Sequence, residues 1–130
     1  MLFLFSSCNL NQAENSEQEY ALKKLDNEVM EIHDAVMPRM SEIGRLKRQM
    51  SEKLKENTDP QKAEGIQQMI YQLGEADEAM MNWMGEFKRP DYSNFKNAKA
   101  VYQKEKVKIT AVRDKMLTTI SKANAFLSTI

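Results

Sequence analysis

Methionine, histidine and tryptophan side chains carry the chemistry that this sequence could perform. Residues 28–40 contain His33, which is the only histidine of the chain, among several methionines. Residues 80–87 are also rich in methionine and contain Trp83, the only tryptophan. Thioether sulfurs and one imidazole are ligands that suit Cu(I), and an indole can cover such an ion by a cation–π contact. The two segments together therefore predict a candidate soft-metal site.

The predicted ligand set combines one imidazole, several thioethers and the indole: His33, Met37, Met80, Met84 and Trp83. Asp34 or a backbone carbonyl would orient the imidazole by accepting a hydrogen bond from the ring nitrogen that does not bind the metal. Simple packing explains the same residues and is the first interpretation, because methionine fills irregular cores and its sulfur contacts aromatic rings favourably. Cu(I) binding is the alternative, followed by recognition of proteins through a Met-rich surface. Haem held by His33 and a methionine is weaker, since three helices offer a porphyrin little room and no Cys-x-x-Cys-His motif occurs.

Apolar residues recur every three or four positions along three segments, and this period predicts amphipathic helices. The expected helices span about 18–56, 60–87 and 93–128. Pro38 lacks a backbone N–H and crowds the preceding turn, so we expect it to kink the long first helix. Connections of a few residues place consecutive helices side by side and antiparallel. The predicted fold is an all-α, antiparallel, up-down-up three-helix bundle with a long, Pro-kinked first helix.

The ends of the second and third helices carry capping signals. Asp59 is the expected N-cap of the second helix, and Pro60 suits its first position. Asp91 or Ser93 is the expected N-cap of the third helix. Each cap would satisfy backbone N–H groups that have no partner within their own helix.

Hairpin geometry predicts that the two Met-rich segments meet. Two antiparallel helices rise equally per residue, so a turn at about residue 58 places His33 at the level of Trp83. The same register places Met37 close to Met80, and the turn at about residue 90 brings Tyr92 within a turn or two. A kink at Pro38 would open the bundle at this height, where a ligand could bind.

Charged residues show no catalytic pattern. Glu75, Asp77 and Glu78 lack a neighbouring nucleophile, metal motif or glycine loop, so we assign them to the surface and predict that the protein is not an enzyme. Arg39 and Glu105 fall at positions that the helical period would make apolar. Either they form an ion pair that sets helix register, or they lie on a solvated rim.

Composition disfavours a nucleic-acid partner. Nineteen basic residues balance nineteen acidic ones in a chain of 130 residues, so no net field attracts a polyanion. The length corresponds to one domain. No segment is long enough to span a bilayer, so attachment to a membrane would have to be through lipid.

The N-terminal segment predicts such a lipid anchor. Residues 1–8 contain an apolar run, two serines and then Cys8, as at the end of a bacterial lipoprotein signal peptide, here truncated. Cys8 is the expected lipidation site. Residues 9–17 are polar and predict a flexible tether, and residues 18–130 form the bundle. The alternative is a cytosolic protein with an apolar N-terminus.

The two Met-rich segments, Glu28-Val-Met-x-Ile-His-Asp-x-Val-Met-Pro-Arg-Met40 and Met81-x-Trp-Met84-x-x-Phe87, together with Ser-Ser-Cys8, resemble small uncharacterised bacterial envelope lipoproteins. Some of these are labelled "viral A-type inclusion protein". The resemblance implies a helical bundle in the cell envelope, periplasmic or at the outer membrane, and implies no activity. We therefore expect a non-catalytic lipoprotein with a structural or protein-interaction role. Its partners would be the membrane, through Cys8, and another protein or a second copy, with no obligate cofactor and Cu(I) as the alternative.

Overall fold

The computed structural model of the protein describes residues 7–130, with side chains from residue 11 onward. Its elements are α1 (Ser7–Val36), a 3-10 turn (Met37–Arg39), α2 (Met40–Glu56), α3 (Pro60–Glu86) and α4 (Phe95–Leu127). No strand occurs in the described range. The prediction of an all-α protein is therefore confirmed.

The apolar stripes predicted from the period form one shared core. α2 buries residues spaced by three and four, namely Ile43, Leu46 and Met50, and α1 buries residues two helical turns apart, namely Leu22, Val29 and Val36. On α3 and α4 the buried set includes Ile66, Leu73, Ile109 and Met116. α1 packs on α4, α2 packs on α3 and α4, and α3 packs on α4. Burying this apolar surface is what holds helices together that are too long to be stable alone in water.

Capping side chains begin α3 and α4. Asp59 accepts a hydrogen bond from the backbone N–H of Gln61 at 3.0 Å and Pro60 follows it, as predicted. The prediction for α4 is wrong by one to three residues, because Asn94 caps the helix through the backbone N–H of Asn97 at 3.1 Å. Asp91 instead accepts from the backbone N–H of Ser93 at 2.9 Å and shapes the preceding turn.

The long first helix is interrupted at its proline. α1 ends at Val36, and Pro38 lies within the 3-10 turn before α2 begins. Proline has no N–H to donate, so an α-helical hydrogen bond is lost at this point. The hydroxyl of Ser41 donates to the carbonyl of Pro38 at 2.9 Å. The single helix predicted over 18–56 is thus two helices, and a bend of the axis at Pro38 stays a prediction.

α1 also begins earlier than predicted. Residues 9–17, expected to form a flexible tether, belong to this helix, and the side chains of residues 11–17 are exposed. Leu22 is the first buried side chain in the described range. A helix is compatible with this stretch because Ala, Gln and Glu form helices well. Residues 1–6 of the predicted signal segment and the side chain of Cys8 lie outside the described residues.

Candidate functional site

Trp83 is the centre of the predicted site and lies between two other rings. The His33 ring centroid is 5.5 Å from that of Trp83, and the Phe87 ring stacks on the indole at 4.9 Å. The indole Nε1 donates a hydrogen bond to Oε2 of Glu105 at 3.0 Å. Only 6% of Trp83 is exposed. The predicted proximity of His33 and Trp83 is therefore confirmed, and α4 supplies the polar partner of the indole.

His33 is held from its other side by the next residue in the chain. Its Nδ1 lies 2.9 Å from Oδ1 of Asp34, the residue predicted to orient the imidazole. The His33 side chain is 12% exposed, whereas that of Asp34 is 70% exposed. If Nδ1 carries the proton, it donates to the carboxylate and leaves Nε2 as an acceptor or metal ligand. This arrangement resembles the carboxylate–histidine pairs that support metal ligation.

The predicted thioether ligands lie at different depths. Met80 is fully buried in the core, while Met84, one turn further on α3, is partly buried against it. Met37 lies in the 3-10 turn and is 42% exposed. Met80 is three residues before Trp83 and so lies on the same face of α3, whereas Met84 is the next residue in the chain. Within the predicted set, His33 and Trp83 form a ring-to-ring contact.

Arg39 and Glu105 do not pair with each other. Arg39 forms an ion pair with Glu42, three residues further along the chain. The hydrogen bond from Arg39 holds the pKa of Glu42 below its usual range. Glu105 accepts from Trp83 and lies 3.5 Å from Lys108, with its side chain 14% exposed. Of the two alternatives, the register-setting ion pair does not form, since each charge has a nearer partner.

A second polar group, which was not predicted from the sequence, is connected to Trp83 through Phe87. Oδ1 of Asp26 accepts from Tyr102 Oη at 3.0 Å and from Arg89 Nε at 2.9 Å. Tyr92 Oη lies 2.9 Å from Tyr102 Oη, and it must be the donor if Tyr102 donates to Asp26. We call these four residues the Asp26 network. The Arg89 guanidinium also lies over the Phe87 ring, 5.6 Å from its centroid, and so links the network to Trp83.

The sequence did contain a signal for this network. Asp26 lies between Leu22 and Val29 on the apolar stripe of α1, where a carboxylate needs a partner. Its side chain is only 16% exposed. Tyr102 is fully buried in the core. A buried phenol also needs a hydrogen-bond partner, so the two residues could have been matched on that ground.

The Asp26 network has a structural role, because its hydrogen bonds hold separate elements of the fold together. Burial raises the pKa of the Tyr102 phenol far above its ordinary value, and the hydrogen bonds with Tyr92 and Asp26 raise it further. The phenol is therefore neutral at physiological pH and serves as a hydrogen-bond donor. Because the donors come from α4 and from the turn before it, the network ties these elements to α1.

Comparison of the chain with protein-family models, curated proteins and solved structures gives no match. Within residues 7–130, no helix is both long enough and apolar enough to cross a bilayer. Over the same range, no three His, Cys, Asp or Glu side chains are grouped so that they could hold a metal ion. The protein belongs to the all-helical class. Its candidate site consists of a partly exposed histidine, His33, in contact with a buried tryptophan, Trp83.

Proposed function

We propose that the protein is a lipid-anchored, non-catalytic bundle of the bacterial cell envelope, with a structural or protein-interaction role. α1 with α2, then α3, then α4 would run up, down and up, with a bend at Pro38. The contacts that support this arrangement join His33 to Trp83, Lys106 to Glu28 and Lys115 to Glu75. The N-terminal segment of α1 then projects past the turn between α3 and α4.

The projecting segment of α1 is the observation that carries the proposal. The side chains of residues 11–17 are exposed, and Asp26 is already at the level of Arg89 in the turn before α4. From Cys8 to Leu22 a helix extends about 20 Å, at roughly 1.5 Å per residue. A polar helical spacer of this length would hold the bundle clear of a bilayer in which acyl chains on Cys8 are inserted.

Cu(I) binding is the second candidate, and the contact between His33 and Asp34 favours it. A carboxylate at 2.9 Å from Nδ1 orients the ring and leaves Nε2 for a ligand. Met37, Met80 or Met84 would then supply sulfur, and Trp83 would lie against the ion. No feature of the described residues favours haem over copper.

The anchor is tested by the mass of the mature N-terminus. We expect protein from the membrane fraction of its host to begin at Cys8 and to carry a diacylglyceryl group on the cysteine sulfur. Cys8→Ser should move the protein to the soluble fraction without changing its helix content. A membrane-fraction protein with an unmodified Met1 would end the lipoprotein proposal, and so would an unchanged distribution of the Cys8→Ser variant.

A further inference from the structure

Large hydrophobic side chains are exposed in matching pairs on α3 and α4. Within the part of the chain that the structure describes, these are Tyr71 and Met81 on α3 and Val107 and Leu117 on α4. Tyr71 and Val107 are 68% and 71% exposed. The members of each pair are ten residues apart, which is about 15 Å along a helix. Two parallel helices can therefore bring both pairs to matching heights at the same time.

The surroundings of the two pairs carry opposite charge. α3 has five acidic residues and, besides Lys62 in its first turn, no basic one. α4 has eight basic residues and two acidic ones. We define the α3 face by Glu64, Tyr71, Glu78 and Met81, and the α4 face by Lys96, Lys99, Val107 and Leu117. All eight side chains are exposed, and charge complementarity favours contact between the two faces.

We infer that the α3 face of one copy of this chain docks on the α4 face of another. When the helices run parallel, Tyr71 meets Val107 and Met81 meets Leu117. Glu64 precedes Tyr71 by seven residues and Lys99 precedes Val107 by eight, so this register also pairs a carboxylate with an ammonium group. Glu78 then comes opposite Asp114, whose charge is offset by Arg113 at 3.1 Å.

The contact is small, and its strength follows from its size. Two helices touching over about 15 Å bury less than the roughly 1,200 Å² of a stable complex, so we expect a dissociation constant of about 10 µM to 1 mM. In the proposed up-down-up bundle α3 and α4 run in opposite directions, so a parallel α3–α4 contact sets the two copies antiparallel, with their N-termini at opposite ends. The inference rests on the proposed protein-interaction role and identifies the partner as a second copy of this chain. It does not require that Cys8 carries lipid.

Sedimentation of the unlipidated Cys8→Ser chain tests the contact. At low salt we expect the average mass to rise with concentration from that of the 15.1 kDa monomer, and to fall again when salt screens the charges. Tyr71→Ser with Met81→Ser, and separately Val107→Ser with Leu117→Ser, should each weaken association at least about tenfold. Tyr20→Ser removes an equally exposed ring from α1 and should have no effect. Circular dichroism shows whether each variant remains folded.

Mixing the variants distinguishes this contact from other modes of association. The α3 variant keeps an intact α4 face and the α4 variant an intact α3 face, so an equimolar mixture should form 1:1 pairs. Glu64→Lys and Lys99→Glu should likewise fail alone and associate when mixed. A monomer up to about 1 mM at low salt would overturn the inference. Loss of association in only one of the two face variants, or binding of the monomer to phosphatidylglycerol vesicles through α4 in its place, would also overturn it. None of these outcomes bears on the anchor, which the mass of the N-terminus tests separately.

Discussion

Asp26 on α1 and Tyr102 on α4 are joined by a hydrogen bond of 3.0 Å between a largely buried carboxylate and a fully buried phenol. The bond connects residues that are 76 positions apart in the chain. Arg89, in the turn between α3 and α4, forms an ion pair with the same carboxylate at 2.9 Å. The Asp26 side chain therefore joins α1 to α4 and to this turn.

Removing the phenol oxygen should destabilise the protein. We expect Tyr102→Phe to lower the free energy of unfolding by about 1–3 kcal/mol, because the ring still packs while Asp26 loses a donor. Urea denaturation measures the change. In an Asp26→Asn background the same substitution should cost less, since the charge that needs the donor is gone. Tyr71→Phe, at an exposed position, is the control and should change stability by less than about 0.5 kcal/mol. A Tyr102→Phe protein as stable as the wild type would contradict the prediction.

Stability should fall at alkaline pH through the same phenol. The pKa of Tyr102 is raised in the folded protein, so its contribution is complete below the unfolded value of about 10 and is lost as pH rises above it. One such group lowers stability by about 1.4 kcal/mol per pH unit in that range. Unfolding free energies measured from pH 9 to 11.5 should therefore decrease more steeply for the wild type than for Tyr102→Phe. Parallel curves would show that another group controls the alkaline transition.

Two helical glycines should respond differently to alanine. A Cβ at Gly85 would have no atom within 4 Å among the described residues other than its chain neighbours and the adjacent backbone of its own helix, whereas one at Gly65 would lie 3.1 Å from Cζ of Phe126. Alanine loses less backbone entropy on folding, so Gly85→Ala should stabilise by about 0.5–1 kcal/mol. Gly65→Ala should gain less or lose stability, because Phe126 must move. Thermal unfolding of both variants under one buffer condition provides the comparison, and an equal gain at both sites would be unexpected.

The fluorescence emission of Trp83 would report Cu(I) binding directly. If Cu(I) binds at His33, its approach should quench the indole emission, because the two rings are 5.5 Å apart. His33→Ala and Met84→Leu should remove the quenching, and Met84→Leu keeps the side-chain volume. Met81→Leu changes an exposed methionine of α3 outside the predicted ligand set and is the control. The copper alternative fails if micromolar Cu(I) leaves the emission unchanged, or if the quenching persists in both ligand variants.

Much of the fold could be predicted from local rules. The spacing of Leu22, Val29 and Val36 is enough to identify the buried face of α1, because seven residues are close to two helical turns and return to the same side. The contact between His33 and Trp83 followed from the equal rise of two helices that turn near residue 58. Asp59 and Pro60 marked the start of α3 for reasons confined to a single helical turn.

The start of α1 and the cap of α4 were less predictable. Residues 9–17 have a composition that suits either a solvated helix or a flexible tether, because few apolar groups favour one state over the other. Asp91, Ser93 and Asn94 are all capping residues within one turn. The backbone geometry around them selected Asn94, and side-chain chemistry alone does not distinguish the three.

The amino-acid sequence by itself determined the helices, the stripes that form the core and the level at which the histidine meets the tryptophan, because these depend on periodicity and on rise per residue. Only the tertiary structure decided the partners of the charges on those stripes. Asp26 and Glu105 could have faced solvent, but Tyr102 and Trp83 reach them across the bundle at 3.0 Å. Hydrogen bonds of that length depend on how close and in what orientation two helices pack, and no local pattern specifies either quantity.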